Sequence, residues 1–92
     1  MGAVANAIDK KLRQRFAPQR LVVTDDSAKH AGHSGAREGG ESHFSVEIVS
    51  SAFEGKNRVA RQRLVYEALK DEFGSGLHAL ALTTLTPAED KR

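Results

Sequence analysis

The 92-residue chain carries 14 Lys and Arg against 12 Asp and Glu, a net charge of +2, with 39% hydrophobic residues; this supports one domain with a single thin core and disfavours a deep enclosed pocket. It contains no cysteine, which excludes a disulfide framework, a cysteine nucleophile and thiolate ligation by this chain. No apolar run approaches the ~20 residues that cross a bilayer, and residues 1–7 lack a basic region followed by an apolar block, so the chain reads as soluble and intracellular, with no membrane role and no secretory signal.

In chain order, Val4, Ile8, Leu12 and Phe16 recur every fourth residue, and Pro18 follows the last of them. That spacing predicts a helix over residues 3–16. Residues 20–24, Arg-Leu-Val-Val-Thr, are short and β-branched and predict a strand. Residues 26–42 have no hydrophobic period and contain Gly32, Gly35, Gly39 and Gly40, which predicts a flexible loop longer than the usual structureless connection. Residues 43–50 alternate, with Phe44, Val46 and Ile48 facing one way and Ser45 and Glu47 the other. They predict a strand with one buried and one wet face. Phe53-Glu54-Gly55 reads as a turn and Asn57 as the N-cap of a helix over residues 58–73, with Val65, Leu69 and Phe73 in one row and Gly74 just past its end. Residues 78–86 predict a third strand, with Leu80 and Leu82 on one face, stopped by Pro87; residues 88–92 form a polar turn or short helix. The order predicts a single α+β domain over residues 1–92, αββαβ(α), with the helices on one face of a small sheet.

No catalytic or nucleotide-binding motif is present. The glycines at 32–40 lack the Gly-Lys-Ser/Thr ending of a phosphate loop and precede a strand. No Gly-x-Ser-x-Gly elbow occurs. Phe53-Glu54-Gly55 is unlike the Gly-x-x-Gly clamp of RNA-binding KH domains. The chain is therefore read as a non-enzyme, and its four histidines, His30, His33, His43 and His78, are its chemically interesting residues. None pairs with another at helical i, i+4 spacing, so the zinc-protease geometry is absent. His30 and His33 lie three apart in the loop, a spacing compatible with a shared metal, although loop histidines are more often solvated bystanders. His78 opens the last strand, a position compatible either with ligation or with a structural role. His43 starts the alternating strand, out of phase with its apolar residues, and is assigned a structural role, hydrogen-bonding the loop or the second helix.

Four segments in this order and spacing, Gly-Glu-Ser-His-Phe at 40–44, Val-Ser-Ser-Ala-Phe-Glu-Gly at 49–55, Arg-Gln-Arg-Leu-Val-Tyr at 61–66 and Leu-His-Ala-Leu-Ala-Leu at 77–82, resemble the BolA family over roughly residues 4–89. The resemblance implies an αββαβα fold like the class II KH fold, without its Gly-x-x-Gly loop. It also implies a monothiol glutaredoxin bearing Cys-Gly-Phe-Ser as partner, and a [2Fe–2S] cluster shared by the heterodimer. The chain alone would be a monomer or weak homodimer without the cluster. The family's histidine at the start of the last strand matches His78; its second ligand, in the loop between the first two strands, matches His30, with His33 as the alternative. Imidazole in place of thiolate lowers the negative charge on a cluster, raises its potential and makes ligation pH-sensitive. The remaining thiolates would come from glutaredoxin and glutathione. The implied function is iron–sulfur assembly or trafficking, or iron and stress regulation, in a bacterial cytoplasm or, for a eukaryotic chain, a mitochondrion.

Two positions depart from the family pattern. The Arg-His-Arg of the second helix is Arg61-Gln62-Arg63 here, and the region where the family often has a tryptophan after the last strand holds Asp90. The alternative implied function is a DNA-binding transcriptional regulator. Its footprint would be the acid-free basic turn and helix, Lys56, Arg58, Arg61 and Arg63, although no aromatic stacking residue lies in that patch.

Overall fold

A computed structural model describes residues 2–26, 43–74, 77 and 79–90. Helix α1, Ala3–Phe16, precedes strand β1, Arg20–Asp25, and strand β2, His43–Val49; a 3-10 turn, Ser51–Phe53, leads to helices α2, Arg58–Ala68, and α3, Lys70–Gly74, and strand β3, Ala79–Leu85, follows. The strands form one sheet in the order β1-β2-β3. β1 and β2 are antiparallel, with Leu21 opposite Ile48 and Val23 opposite Val46; β2 and β3 are parallel, with Phe44 beside Leu80 and Val46 beside Leu82. The predicted α+β class is observed. Most of the predicted 26–42 loop lies outside the described residues.

The register explains the layering. Leu21 and Val23, Phe44, Val46 and Ile48, and Leu80 and Leu82 share one face, and they pack against Ile8, Leu12 and Phe16 of α1 and Val65 of α2. The opposite face presents Val22, Thr24, Ser45, Glu47, Ala81 and Thr83 around an open depression. β2 buries all of one side and only parts of the other, as its alternation predicts.

Two local conformations carry the chain between layers. Ala17 ends α1 in the left-handed region, φ 42° and ψ 57°, with its N–H donating to Arg13 O at 3.1 Å. A Cβ is unfavourable there by about 1–2 kcal/mol. Glycine also adds unfolded-chain entropy, so Ala17→Gly is expected to raise stability by a net ~0.5–1 kcal/mol; urea unfolding that shows a loss would refute this reading of the cap. Glu54, φ −62° and ψ 137°, and Gly55, φ 77°, form a type II turn closed by Lys56 N–H to Phe53 O at 3.2 Å, the geometry that needs glycine at its third position. Asn57 then caps α2, its Oδ1 accepting from Ala60 N–H at 2.9 Å.

The continuous helix predicted over residues 58–73 is corrected. α2 stops at Ala68, Leu69 takes φ −107° and ψ 12°, and α3 restarts at Lys70. The physical reason lies in the packing. Leu69 stays fully buried at the break, while α3 brings Glu72 to accept from Lys11 Nζ of α1 at 2.9 Å. That hydrogen bond, reinforced by Glu72 and Asp71 charge, raises the Lys11 pKa. Gly74 is the last residue of α3, not a residue beyond it.

Candidate functional site

The antiparallel and parallel pairings bring particular chain ends together. The end of β1, the start of β2 and the start of β3 all lie at one end of the sheet. His43 is the Cα partner of Ala79, and Asp26 N–H donates to His43 O at 2.7 Å. Ser45 Oγ donates to the Asp26 carboxylate. Asp26, His43, Phe44, Ala79, Leu80 and Ala81 line a shallow open depression here. The sequence candidates attach to this end: residues 27–42, with His30 and His33, join Asp26 to His43, and His78 directly precedes Ala79. His30, His33 and His78 themselves lie outside the described residues. His43 is described and is buried at the first position of β2, and its backbone carbonyl accepts from Asp26 N–H at the β1 end.

Among the described residues, no group of three or more His, Cys, Asp or Glu could hold a metal ion. With no cysteine in the chain, the donor set fits a cluster only as the imidazole share of a site completed by a partner's thiolates.

The other end of the sheet is tied by carboxylates of the C-terminal segment. Arg20, at the start of β1, donates to the Glu47 carboxylate on β2 and to both Asp90 oxygens, at 3.0 and 3.2 Å. These hydrogen bonds, Asp90's first and Glu47's second, hold the Arg20 guanidinium protonated beyond its ordinary range. Thr86-Pro87-Ala88-Glu89 is a capping box: Thr86 N–H donates to Glu89 Oε1 at 2.8 Å and Glu89 N–H to Thr86 Oγ1 at 3.3 Å. The Thr-x-x-Glu spacing of residues 86–89 is the sequence signal for it.

Arg61 completes this arrangement. Its guanidinium meets Glu89 at 2.6 and 3.3 Å and the carbonyl oxygen of Thr84 at 3.2 Å, and its Nε donates to Lys56 O at 2.8 Å. Of the four cations in the proposed basic footprint, Arg61 is therefore engaged within the protein, while Lys56, Arg58 and Arg63 are exposed. The Arg61 hydrogen bond, followed by that from Thr86 N–H, lowers the Glu89 pKa from 4.5 to about 2. Because the folded value is depressed, the stabilisation is present above pH 4.5 and disappears as pH falls through about 2. Thermal melts of Glu89→Gln should lie below those of the parent at neutral pH and converge with them near pH 2; parallel curves over that window would show that the pair contributes nothing.

Among the described residues, no helix is long and apolar enough to cross a membrane. Comparison with known proteins places these features in context. A family model described as BolA-like protein matches residues 12–89. An uncharacterized protein encoded in the cobS 5′ region of a Sinorhizobium species is 47% identical over 98% of this chain and 98% of its own length. SufE-like protein 1, chloroplastic/mitochondrial, of Arabidopsis thaliana is 46% identical over 97% of this chain, which spans 25% of that protein. Protein BOLA1, chloroplastic, of the same plant is also 46% identical over 96% of the chain, which spans 58% of it. Among solved structures, the BolA domain of SufE1 from A. thaliana superposes with a TM-score of 0.89 at 47% identity, covering 98% of this chain and 99% of that one.

Proposed function

We propose that this chain, which belongs to the BolA-like family, is a partner of monothiol glutaredoxins that supplies histidine ligation to a shared [2Fe–2S] cluster in iron–sulfur assembly, trafficking or iron and stress regulation. The observation that supports the reading most directly is the strand arrangement. Asp26, His43 and Ala79 meet at one sheet end, so the segments bearing all the candidate ligands are anchored there. His78 is the proposed first ligand and His30 the second, with His33 as its alternative; glutaredoxin and glutathione contribute the sulfur ligands. Related proteins are named chloroplastic or chloroplastic/mitochondrial, and we place this chain in an organelle of that kind or in a bacterial cytoplasm.

Mixing the protein with a cluster-loaded monothiol glutaredoxin tests the proposal. Visible absorption and circular dichroism should change as thiolate ligands are exchanged for imidazole, and a one-to-one heterodimer should elute. An unchanged spectrum with no heterodimer would sink the proposal. The nucleic-acid alternative rests on Lys56, Arg58 and Arg63 once Arg61 is spent on Glu89 and Thr84; phosphate contacts by these cations would make binding strongly salt-dependent.

A further inference from the structure

His78 follows Leu77 and precedes Ala79 in the chain, and both neighbours are tied down. Ala79 begins β3 as the Cα partner of His43. Leu77 is buried in the core that also holds Leu12, Val65 and Leu69, and its N–H donates to Glu72 O at 3.0 Å. Burial alone sets the depth of Leu77 but not its orientation, because apolar attraction is non-directional. The hydrogen bond supplies the direction. The approach to β3 therefore takes its bearing from the backbone of Glu72.

Glu72 lies in α3, whose five residues are too few to hold a helix unaided in water. Two sets of contacts place it. Glu72 N–H and Phe73 N–H donate to Leu69 O at 3.0 and 3.3 Å, at the fully buried Leu69. On the α1 side, the Glu72 carboxylate accepts from Lys11 Nζ at 2.9 Å, and Asp71 lies 3.7 Å from the same ammonium. The Glu72 side chain is only 12% exposed, against 76% for Asp71, so Glu72 is the inner partner. A pair this buried often gains no stability over apolar side chains of the same size. Its directional hydrogen bond does fix α3 against α1.

We propose that Lys11 and Glu72 are positioning residues for the His78 ligand. The ion pair holds α3 in place, and the Glu72 carbonyl passes that placement to Leu77 and so to position 78. The ligand role rests on the glutaredoxin reading above, whereas the relay from Lys11 to Leu77 belongs to this chain alone. Neither residue touches the cluster; each acts through the backbone next to the ligand.

The test is the double variant Lys11→Met/Glu72→Gln, which keeps both side-chain lengths and leaves no buried charge unpaired. In the protein alone, amide hydrogen exchange at Leu77 should become faster relative to the amides of β2. In the reconstituted glutaredoxin heterodimer, cluster retention should fall on the order of tenfold, the lower end of what losing an outer-shell partner costs, and the visible circular dichroism should change. Lys11→Arg, which preserves the contact with Glu72, should restore the parent exchange rate, retention and spectrum. Glu89→Gln, a loss of an ion pair at the other end of the sheet, should leave all three as in the parent. Unchanged Leu77 exchange in the double variant, or a change no larger than in Glu89→Gln, would overturn the relay whatever glutaredoxin does. Faster exchange with parent-like retention and spectrum would make the pair structural only and overturn the positioning role. A parent protein that takes up no cluster would refute the glutaredoxin reading, and the ligand-positioning role would fall with it.

Discussion

Phe53→Ala is expected to cost about 3–5 kcal/mol of folding stability. The sequence places Phe53 at the start of a turn, between Ala52 and Glu54, yet its side chain is fully buried and its ring lies 5.3 Å from that of Phe16, tilted by 39°. The ring joins the end of α1 to the turn that follows β2. Beside it, buried Ser50 donates its hydroxyl to Phe16 O at 2.7 Å and accepts from Ala52 N–H at 3.1 Å, so the backbone cannot readily collapse into the space that alanine would leave. A domain of this length has roughly 5–14 kcal/mol in total, and the loss would lower Tm by roughly 15–30 °C. Urea or thermal unfolding followed by circular dichroism measures it. A loss below about 1 kcal/mol would mean that the ring is not a core element.

The largest functional effect is expected from His78→Ala. Under the proposed role, the variant leaves the heterodimer one imidazole short, and this cysteine-free sequence has no thiolate to put in its place. Losing even an outer-shell partner of a metal ligand typically weakens a site 10–100-fold, so losing the ligand itself should reduce cluster retention on the order of 100-fold or more. The visible spectrum should revert to that of the glutaredoxin alone. His30→Ala and His33→Ala, made separately, should differ, the larger loss identifying the second ligand. His43→Ala should lower stability while leaving the spectrum in place. A ligating imidazole must be neutral, so retention should also weaken as pH falls. A His78→Ala heterodimer with an unaltered spectrum would remove His78 from the ligand set.

Features set by local patterning were legible in the sequence. The four-residue spacing of Ile8, Leu12 and Phe16, the alternation of Phe44, Val46 and Ile48, and the Asn57 cap all recur in the structure, because each depends on neighbours within about one turn or one strand. The break at Leu69 was not legible. Neither glycine nor proline marks it; the reorientation brings Glu72 to Lys11, 61 positions earlier in the chain. Burial of Phe53 was hidden for a similar reason, since a turn signal says nothing about what the turn packs on. The roles of Arg61 and Arg20 required the tertiary fold as well: Arg61 reads as one cation of a surface patch and Arg20 as the start of a strand until carboxylates from the C-terminal segment are seen to engage them. For the site, the sequence supplied the histidines and their family resemblance; the sheet supplied the shared end to which their segments attach.

The parallel pairing of β2 with β3 has a kinetic consequence. Each of its rungs joins residues 36 positions apart, from His43 with Ala79 to Val49 with Leu85, whereas α1 and the turn at Gly55 close over a few residues. The entropy of that long closure must be overcome before its contacts repay it. Docking of β3 is therefore expected late in folding, after α2 and α3 have shortened the intervening chain. A full-length but partly unfolded chain would already contain every histidine yet lack the strand junction at His43 and Ala79, so under the proposed role competence to receive a cluster would coincide with completion of the fold.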